Sequence, residues 1–213
     1  MLYNKTVPID QSALLVIDAQ DSFKALPRWE RRDNRAFEAN VARLIQAYRT
    51  AGLPVIYFLH TDEDPGFETT SPHYKLMDFI HPAPDEPVIP KNTRNVFTST
   101  GLSELLLERG VRRLAIAGIQ MEQCCETSAR VAADLGYAVD FVIDATMTFP
   151  IVNRDNPREE LGVEAIRERT LYVLSGRFAT IATVVSMEQQ LKQLGRMGAP
   201  GGSSNMPPGK TTT

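Results

Sequence analysis

The chain has 213 residues, of which 43% are hydrophobic and 23% charged, a composition typical of an ordinary globular protein and a length that suits one domain. Its net charge of −3 excludes the overall basic character with which nucleic-acid-binding proteins attract phosphates, so we expect no nucleic-acid partner. No segment approaches the roughly 20 apolar residues of a membrane helix, and the N-terminus lacks the apolar run of a signal peptide, so we expect no membrane association.

Short apolar runs alternate with longer amphipathic segments along the chain, which is typical of an α/β fold. The apolar runs predict six strands, at residues 13–17, 55–59, 95–97, 113–117, 138–143 and 179–183. The amphipathic segments and cap signals predict helices at 37–51, at 102–109, at 122–135, from an N-cap at Asn156, and from a capping box at 186–189 to about 194. With right-handed crossovers, these elements predict a three-layer α/β/α sandwich around a six-stranded, mostly parallel, Rossmann-like sheet.

Three other regions complete the predicted organisation. Residues 1–194 are predicted to form a single domain, and the Gly/Pro/Ser/Thr-rich residues 195–213 a tail without a fold of its own. Residues 61–90 are rich in Pro, His and Asp and predict a long functional loop. A local basic cluster is interpreted as a solvated helix face; it comprises Arg28, Arg31 and Arg32.

Polar residues at the ends of predicted strands are the first candidates for a site, because ligands of such sheets bind beyond the carboxyl ends of the strands. Asp18 directly follows the apolar run 13–17, where a carboxylate is costly unless it is paired. The alternative is a structural Asp that caps a turn. Gln20 and Phe23 follow on the same loop and are candidate pocket residues.

Cys124 lies in the first turn of the helix predicted after the fourth strand. Unsatisfied N–H groups and the positive end of the helix dipole favour the thiolate there, and the thiolate is the nucleophilic form. The alternative is a buried structural cysteine, since cysteine is among the most frequently buried residues. Its neighbour Cys125 is the only other cysteine. Adjacent cysteines rarely form a disulfide, so we expect a cytoplasmic protein without a disulfide framework.

Cofactor signatures are absent from the sequence. There is no Gly-rich phosphate loop of the dinucleotide or Walker type. His60 ends the second predicted strand, and Asp62 and Asp64 follow it, but their spacing matches no strong metal-ligand signature. We therefore expect neither a cofactor nor a metal.

Three features resemble the isochorismatase-like hydrolase superfamily, specifically its cysteine hydrolase (amidohydrolase) branch. The first is the run Leu-Leu-Val-Ile-Asp-Ala-Gln around Asp18, followed by Phe23. The second is the Pro-Lys pair that ends at Lys91. The third begins at Gly118 and continues six residues on with Cys124, then an Ala-Arg helix, a Gly turn, a strand and Asp-Ala. The combination is specific, whereas each piece alone is not.

The resemblance implies a catalytic triad of Asp18, Lys91 and Cys124. It alone points to Lys91, because a lone lysine is ordinarily a solvated surface residue. It also assigns Cys125 to helix packing, because the family has an apolar residue at that position. In the implied mechanism, Lys91 stabilises the Cys124 thiolate, Asp18 moves protons, and the thiolate attacks an amide or ureido carbonyl to form a thioester.

The resemblance also implies a cis peptide at Ile119–Gln120, with the backbone N–H groups of Gln120 and Cys124 as the oxyanion hole. The chain departs from the family at Gln120 and Met121, which are larger than the usual residues and are expected to reshape the pocket. The metal-binding Asp-x-His group of the nicotinamidase branch has no match after the second strand. That difference argues against a metal and against nicotinamidase activity.

The predicted partner is a small-molecule amide, and analogy with the family predicts a homo-oligomer, either a dimer or a tetramer. Loops usually carry specificity, and we expect it in residues 61–90 and 146–155. The candidate substrate-binding residues are Gln20, Phe23, Thr61, Met121 and Phe149. The sequence leaves the identity of the amide open.

Three alternatives remain at this stage. One is hydrolysis of a vinyl ether on the same fold, as in true isochorismatases, which needs an acid but no thiol nucleophile. Another is a thiol redox protein that uses Cys124 and Cys125, although adjacent cysteines are not a Cys-x-x-Cys pair. The last is a non-catalytic binding module.

Overall fold

A six-stranded sheet, parallel at every pairing, forms the centre of the computed structural model, which describes residues 7–197. Its strands lie in the order β3-β2-β1-β4-β5-β8. Their bounds are β1 Ser12–Ile17, β2 Val55–His60, β3 Val88–Lys91, β4 Arg113–Ile119, β5 Ala138–Met147 and β8 Thr180–Ala182. A separate antiparallel hairpin consists of β6 Ile151–Val152 and β7 Glu160–Leu161. The chain order switches direction between β1 and β4, where sheets of this type bind ligands.

Helices cover both faces of the sheet, which confirms the predicted three-layer α/β/α sandwich. Their bounds are α1 Phe37–Thr50, α2 Leu102–Glu108, α3 Glu126–Asp134, α4 Val163–Leu174 and α5 Val184–Met197. Apolar residues of α1 and α5 pack with Leu14 and Val16 on one face, and those of α2, α3 and α4 pack with Leu15 and Ile17 on the other. Every residue of β1 is buried, because a central strand with both faces covered needs apolar side chains at each position.

The third strand is not where the sequence pattern placed it. The prediction of a strand at residues 95–97 is wrong, and β3 is Val88–Lys91. This strand is short, lies at the sheet edge and contains Pro90, a residue that only an edge strand tolerates readily. Asn95 instead forms a turn in which its Oδ1 accepts hydrogen bonds from the backbone N–H groups of Phe97 and Thr98, both at 2.8 Å.

Two helix starts also differ from prediction. Asn156 does not begin a helix: it lies in the turn between β6 and β7, and α4 begins at Val163 after Gly162. The last helix begins at Val184, because Thr183 and Ser186 exchange backbone-to-side-chain hydrogen bonds of 3.0 and 3.2 Å. The capping box therefore lies three residues earlier than predicted.

The chain ends predicted from the sequence lie largely beyond the described region. Helix α5 continues to Met197, past the predicted domain end at residue 194. The rest of the predicted tail, from residue 198 onward, lies outside the described residues, as do residues 1–6. Within residues 7–197, no helix is long and apolar enough to cross a membrane.

Candidate active site

A close contact between β1 and β4 sets the position of the candidate site. Gly118 has a φ of 135°, and a Cβ at this position would lie 1.9 Å from the backbone oxygen of Ile17. Only glycine allows the two strand ends to approach this closely. The contact brings Asp18, which follows Ile17, beside the turn that leads into Cys124. Asp18 itself adopts a φ of 52°, a left-handed conformation that aspartate tolerates better than most residues.

The structure brings the three predicted catalytic residues together. Lys91 Nζ lies 2.8 Å from Asp18 Oδ2 and 3.4 Å from Cys124 Sγ. Asp18 follows β1, Lys91 ends β3, and Cys124 lies in a π-helical turn, Met121–Cys125, which precedes α3. The Asp18 and Lys91 side chains are both 0% exposed. Two opposite charges in direct contact compensate each other where neither could be buried alone.

The Lys91 ammonium contacts more groups than it has N–H donors. Besides Asp18 and Cys124, its ammonium contacts the backbone oxygen of Thr93 at 3.1 Å and His60 Nδ1 at 3.3 Å. An ammonium carries three N–H donors, so four neighbours cannot all receive one at the same time. The contact with the Cys124 thiol is the longest of the four. Lys91 is therefore placed to redirect a hydrogen bond if the charge moves from one neighbour to another.

The electrostatics of the thiol differ from the sequence-based expectation. The sequence predicts a thiolate favoured by the helix start, whereas the buried position of Cys124 opposes it. Burial raises the pKa of the Cys124 thiol, and the Asp18 carboxylate raises it further, against the opposing effect of Lys91. Burial lowers the pKa of Lys91, but Asp18 and Cys124 raise it by more, so that the pKa of Lys91 lies above its usual value. These shifts favour the thiol form of Cys124 and the ammonium form of Lys91.

A histidine connects this cluster to the loop after β2. His60 is 3% exposed, and its Nε2 lies 3.0 Å from Asp62 Oδ2. Burial lowers the pKa of His60, and the nearby Lys91 lowers it further, so the ring is neutral at pH 7. Its Nδ1 contacts the Lys91 ammonium, and its Nε2 contacts both the Asp62 carboxylate and the Arg94 guanidinium, so the ring connects Lys91 to the charged groups at the cavity. Among residues 7–197, no group of three or more His, Cys, Asp or Glu could hold a metal ion.

The turn before Cys124 contains the cis peptide implied by the family resemblance, at Ile119–Gln120. The backbone oxygen of Gln120 accepts hydrogen bonds from the N–H groups of Gln123, at 3.1 Å, and Cys125, at 3.2 Å. The Gln120 and Gln123 side chains are hydrogen bonded to each other at 3.1 Å. The turn is thereby held against the helix start. The role of the Gln120 and Cys124 N–H groups as an oxyanion hole remains a prediction.

A cavity of about 480 Å³ opens above this turn, and Cys124 lies in its lining. One part of the lining is apolar and consists of Phe23, Leu26, Pro27, Pro65 and Phe67. The remainder is polar or charged and includes Arg28, His60, Asp62, Asp64, Arg94, Gln120, Gln123 and Arg154. Its volume is in the usual range for small-molecule sites.

Of the five candidate substrate-binding residues, the structure places only Phe23 in the cavity lining. Its ring contacts Phe67 edge-on, with ring centres 5.0 Å apart. Phe149 is fully buried and stacks on Phe23 at 5.9 Å, outside the lining. Met121 is fully buried in the core beside Cys125. Neither side chain faces the cavity, and Phe149 supports the cavity wall through its contact with Phe23.

The two remaining candidates hold backbone in place. The Gln20 side chain is hydrogen bonded to the backbone at the end of β2. Its Oε1 accepts a hydrogen bond from the backbone N–H of His60 at 2.7 Å, and its Nε2 donates one to the backbone oxygen of His60 at 3.0 Å. The backbone N–H of Thr61 donates to the backbone oxygen of Lys91 at 2.9 Å. Neither residue lies in the cavity lining, and both help to position His60 and Lys91.

Sequence reasoning missed the arginines of the cavity. Arg28 was interpreted as part of a solvated helix face, and Arg94 and Arg154 were not singled out, yet all three line the cavity. Each lies on irregular structure or a 3₁₀ turn, where no periodic pattern reports the direction of a side chain. The basic cluster at 28–32 was the one available signal: Arg28 is exposed, as a solvated face requires, but it lies on a 3₁₀ turn and also lines the cavity.

The fold and the site define a three-layer α/β protein with a buried Asp–Lys–Cys cluster beneath a cavity at the carboxyl ends of the strands. The family model of the isochorismatase domain matches residues 12–177, so the chain belongs to the isochorismatase-like hydrolases.

Relatives and solved structures agree with this assignment. The isochorismatase family protein YrdC of Bacillus subtilis is 28% identical over 176 residues, which cover 82% of this chain and 92% of YrdC. Nicotinamidase 3 of Arabidopsis thaliana is 29% identical over 84% of this chain and 88% of its own length. The crystal structure of an isochorismatase-family protein from Chromobacterium violaceum superposes with a TM-score of 0.79 at 27% identity, covering 91% of this chain and 97% of the other.

Proposed function

We propose that the protein is a cysteine amidohydrolase that cleaves a C–N bond, in an amide or ureido group of a small molecule, through a thioester on Cys124. The contact of Lys91 Nζ with both Asp18 Oδ2 and Cys124 Sγ, at 2.8 and 3.4 Å, carries this proposal. The similarity to a nicotinamidase supports hydrolysis of an amide over hydrolysis of an ether.

The first step is a proton transfer within the buried cluster. Asp18 accepts the thiol proton of Cys124, which leaves a thiolate, a neutral carboxyl and the Lys91 ammonium. The cluster holds one negative and one positive charge before and after the transfer, so no net charge has to enter the protein interior. For this reason the raised pKa of the thiol, which describes loss of the proton to water, does not prevent activation. Lys91 then redirects one N–H from Asp18 to the thiolate.

The thiolate next attacks the carbonyl carbon of a substrate held in the cavity. The carbonyl oxygen becomes an oxyanion, which the backbone N–H groups of Gln120 and Cys124 stabilise by about 3 kcal/mol per donor. Asp18 returns its proton to the leaving nitrogen, the C–N bond breaks, and ammonia or an amine departs. Asp18 then takes a proton from a water molecule that attacks the thioester, so that the acid is released and the thiol is restored.

The alternatives fit the geometry less well. Hydrolysis of a vinyl ether makes no use of a thiol in contact with a buried ammonium. A redox function requires a second accessible thiol, but Cys125 is fully buried and Cys124 is 5% exposed. Both cysteines are free. A binding module has no need for a buried ion pair in contact with a thiol in the cavity lining.

A panel of small amides and ureido acids, assayed for release of ammonia, tests the proposal. The active wild-type protein should accumulate a covalent acyl adduct on Cys124 with a slow substrate, seen by intact mass spectrometry, and Cys124→Ala should lose both the adduct and turnover. Cys125→Ala is the matched control, because this thiol lies outside the cavity lining, and it should retain activity. Full amidase activity in Cys124→Ala would overturn the proposal, and unchanged vinyl-ether hydrolysis in that variant would favour the ether alternative.

A further inference from the structure

The charged part of the cavity lining has no role in the hydrolysis described above. Three arginines contribute to it from three separate segments: Arg28 from the 3₁₀ turn Pro27–Arg31, Arg94 from the loop after β3, and Arg154 from the loop between β6 and β7. The acidic residues of the lining are Asp62 and Asp64. With His60 neutral, the lining carries an excess of positive charge.

The three arginines differ in their partners. Arg94 lies 3.5 Å from the Asp62 carboxylate and contacts the His60 ring. Within residues 7–197, the side chains of Arg28 and Arg154 form no hydrogen bond and no ion pair. Arg31 lies on the same 3₁₀ turn as Arg28 but outside the cavity lining, and it is paired with Glu160 through two contacts. The lack of a partner is therefore specific to Arg28 and Arg154 among the arginines of the lining, and it is not shared by the rest of the basic cluster.

The nearest acidic groups do not neutralise Arg28. Glu122 and Asp64 act on it only from beyond ion-pair distance. Burial raises the pKa of Glu122, which favours its uncharged form, and its Oε2 already accepts a hydrogen bond from Thr148 Oγ1 at 2.6 Å. The Arg28 guanidinium lies over the Phe149 ring, 5.2 Å from its centre. This aromatic contact steadies the group without satisfying its hydrogen-bond donors.

We propose that the substrate carries a carboxylate, which Arg28 and Arg154 bind while its amide carbonyl meets Cys124. The inference rests on the proposed function and deepens it. Guanidinium groups bind carboxylates through paired, charge-assisted hydrogen bonds, and a neutral substrate would leave both arginines without an anion. A cavity of about 480 Å³ has room for an amide, a short apolar spacer against Phe23 and Phe67, and a carboxylate.

The expected preference is moderate. Arg28 and Arg154 are exposed at the cavity opening, so water and salt weaken their attraction for an anion. We expect an anionic ligand to bind about tenfold more tightly than its neutral counterpart at low salt. The preference should shrink as the ionic strength rises.

A pair of aldehydes tests this inference without requiring turnover. The Cys124 thiol adds to an aldehyde: an S–C bond forms, the thiol proton moves to the oxygen, and a reversible thiohemiacetal results. The probes are 4-oxobutanoate, which carries a carboxylate, and butanal, its neutral analogue. Protection of Cys124 from alkylation by iodoacetamide, measured by intact mass in the Cys125→Ala background, reports binding. We expect 4-oxobutanoate to protect at about tenfold lower concentration than butanal.

Variants assign the effect to particular residues. Arg28→Gln and Arg154→Gln should each weaken protection by 4-oxobutanoate, and the double variant should remove the preference, while protection by butanal stays unchanged. Arg31→Gln is the matched control and should keep the preference. Equal protection by the two aldehydes, or no protection by either, overturns the inference, as does an unchanged preference in the double variant. The proposed function fails separately, if Cys124→Ala retains amide turnover.

Discussion

The base and the mouth of the cavity are built in different ways. At the base, Asp18 and Lys91 are fully buried and are supplied by strand ends whose positions the sheet determines. At the mouth, Arg28 and Arg154 are exposed and are supplied by a 3₁₀ turn and a hairpin loop. Charges interact strongly where water is excluded and weakly where water and salt screen them. The base is therefore suited to chemistry, and the mouth to selection among substrates.

The largest expected effect lies at the base. Asp18→Asn removes the proposed proton acceptor and leaves the Lys91 ammonium without its anion, so kcat for amide hydrolysis should fall by about a thousandfold. Steady-state assay of ammonia release measures it. Asp21→Asn is a suitable control, because Asp21 pairs with Lys24 and Lys75 outside the cavity lining. If Asp18→Asn lowers kcat no more than Arg28→Gln does, the proposed division between chemistry at the base and selection at the mouth is wrong.

The second expected effect is on the strand contact that positions the base. Gly118→Ala would place a Cβ 1.9 Å from the backbone oxygen of Ile17, so β1 and β4 must separate. We expect a loss of about 3 kcal/mol or more in the free energy of unfolding, measured by urea denaturation, together with loss of activity. Gly52→Ala is the matched control: Gly52 has a φ of 66°, but its added Cβ meets nothing within 4 Å, so its cost should be about 1 kcal/mol. Equal costs at the two positions would contradict the proposed close approach.

A third prediction separates proton transfer from thiol reactivity. In Asp18→Asn the carboxylate that raises the pKa of the Cys124 thiol is gone, while Lys91 remains to favour the thiolate. Alkylation by iodoacetamide near pH 7 should therefore become about tenfold faster than in the wild type, although hydrolysis is lost. Lys91→Met should change alkylation in the opposite direction. Slower alkylation in Asp18→Asn would mean that Asp18 acts on the thiol mainly as its proton acceptor, as in the proposed hydrolysis, and not as a neighbouring anion.

The smallest expected effect is a pH dependence that passes through His60. Because the pKa of His60 is lowered in the folded protein, its stabilising contribution is present above the unfolded value of about 6.5 and is lost as the pH falls through the folded value. Protonation would place a second cation against Lys91. His60→Gln should therefore flatten the decline in unfolding free energy below about pH 6.5, measured by denaturation at several pH values. The control is His73→Gln, at an exposed position outside the cavity lining, which should leave the decline in unfolding free energy unchanged. If His60→Gln declines as steeply as the wild type, the role assigned to the His60 ring is contradicted.

Local patterns predicted the parts of the site that follow regular, buried strands. The apolar run of β1 placed Asp18 at a strand end, and the run of β4 placed Cys124 at a helix start. Lys91 had no such signal, because β3 is a short edge strand with mostly solvent-facing residues and a proline, and only the family resemblance pointed to it. The wrong strand at 95–97 has the same origin, since Val96 and Phe97 are buried in the core without belonging to a strand.

The sequence by itself determined the layered fold and the chemical groups available, because burial of both sheet faces forces continuous apolar strands and amphipathic helices. Tertiary structure alone decided which groups meet. It placed the Cys124 thiol beside an anion in a buried site, which reversed the expected direction of the shift in the thiol pKa. It also brought Arg28 and Arg154, which are 126 residues apart in the sequence (154 minus 28), into the lining of one cavity. Desolvation and the convergence of loops depend on the packing of the whole chain, and no local pattern records them.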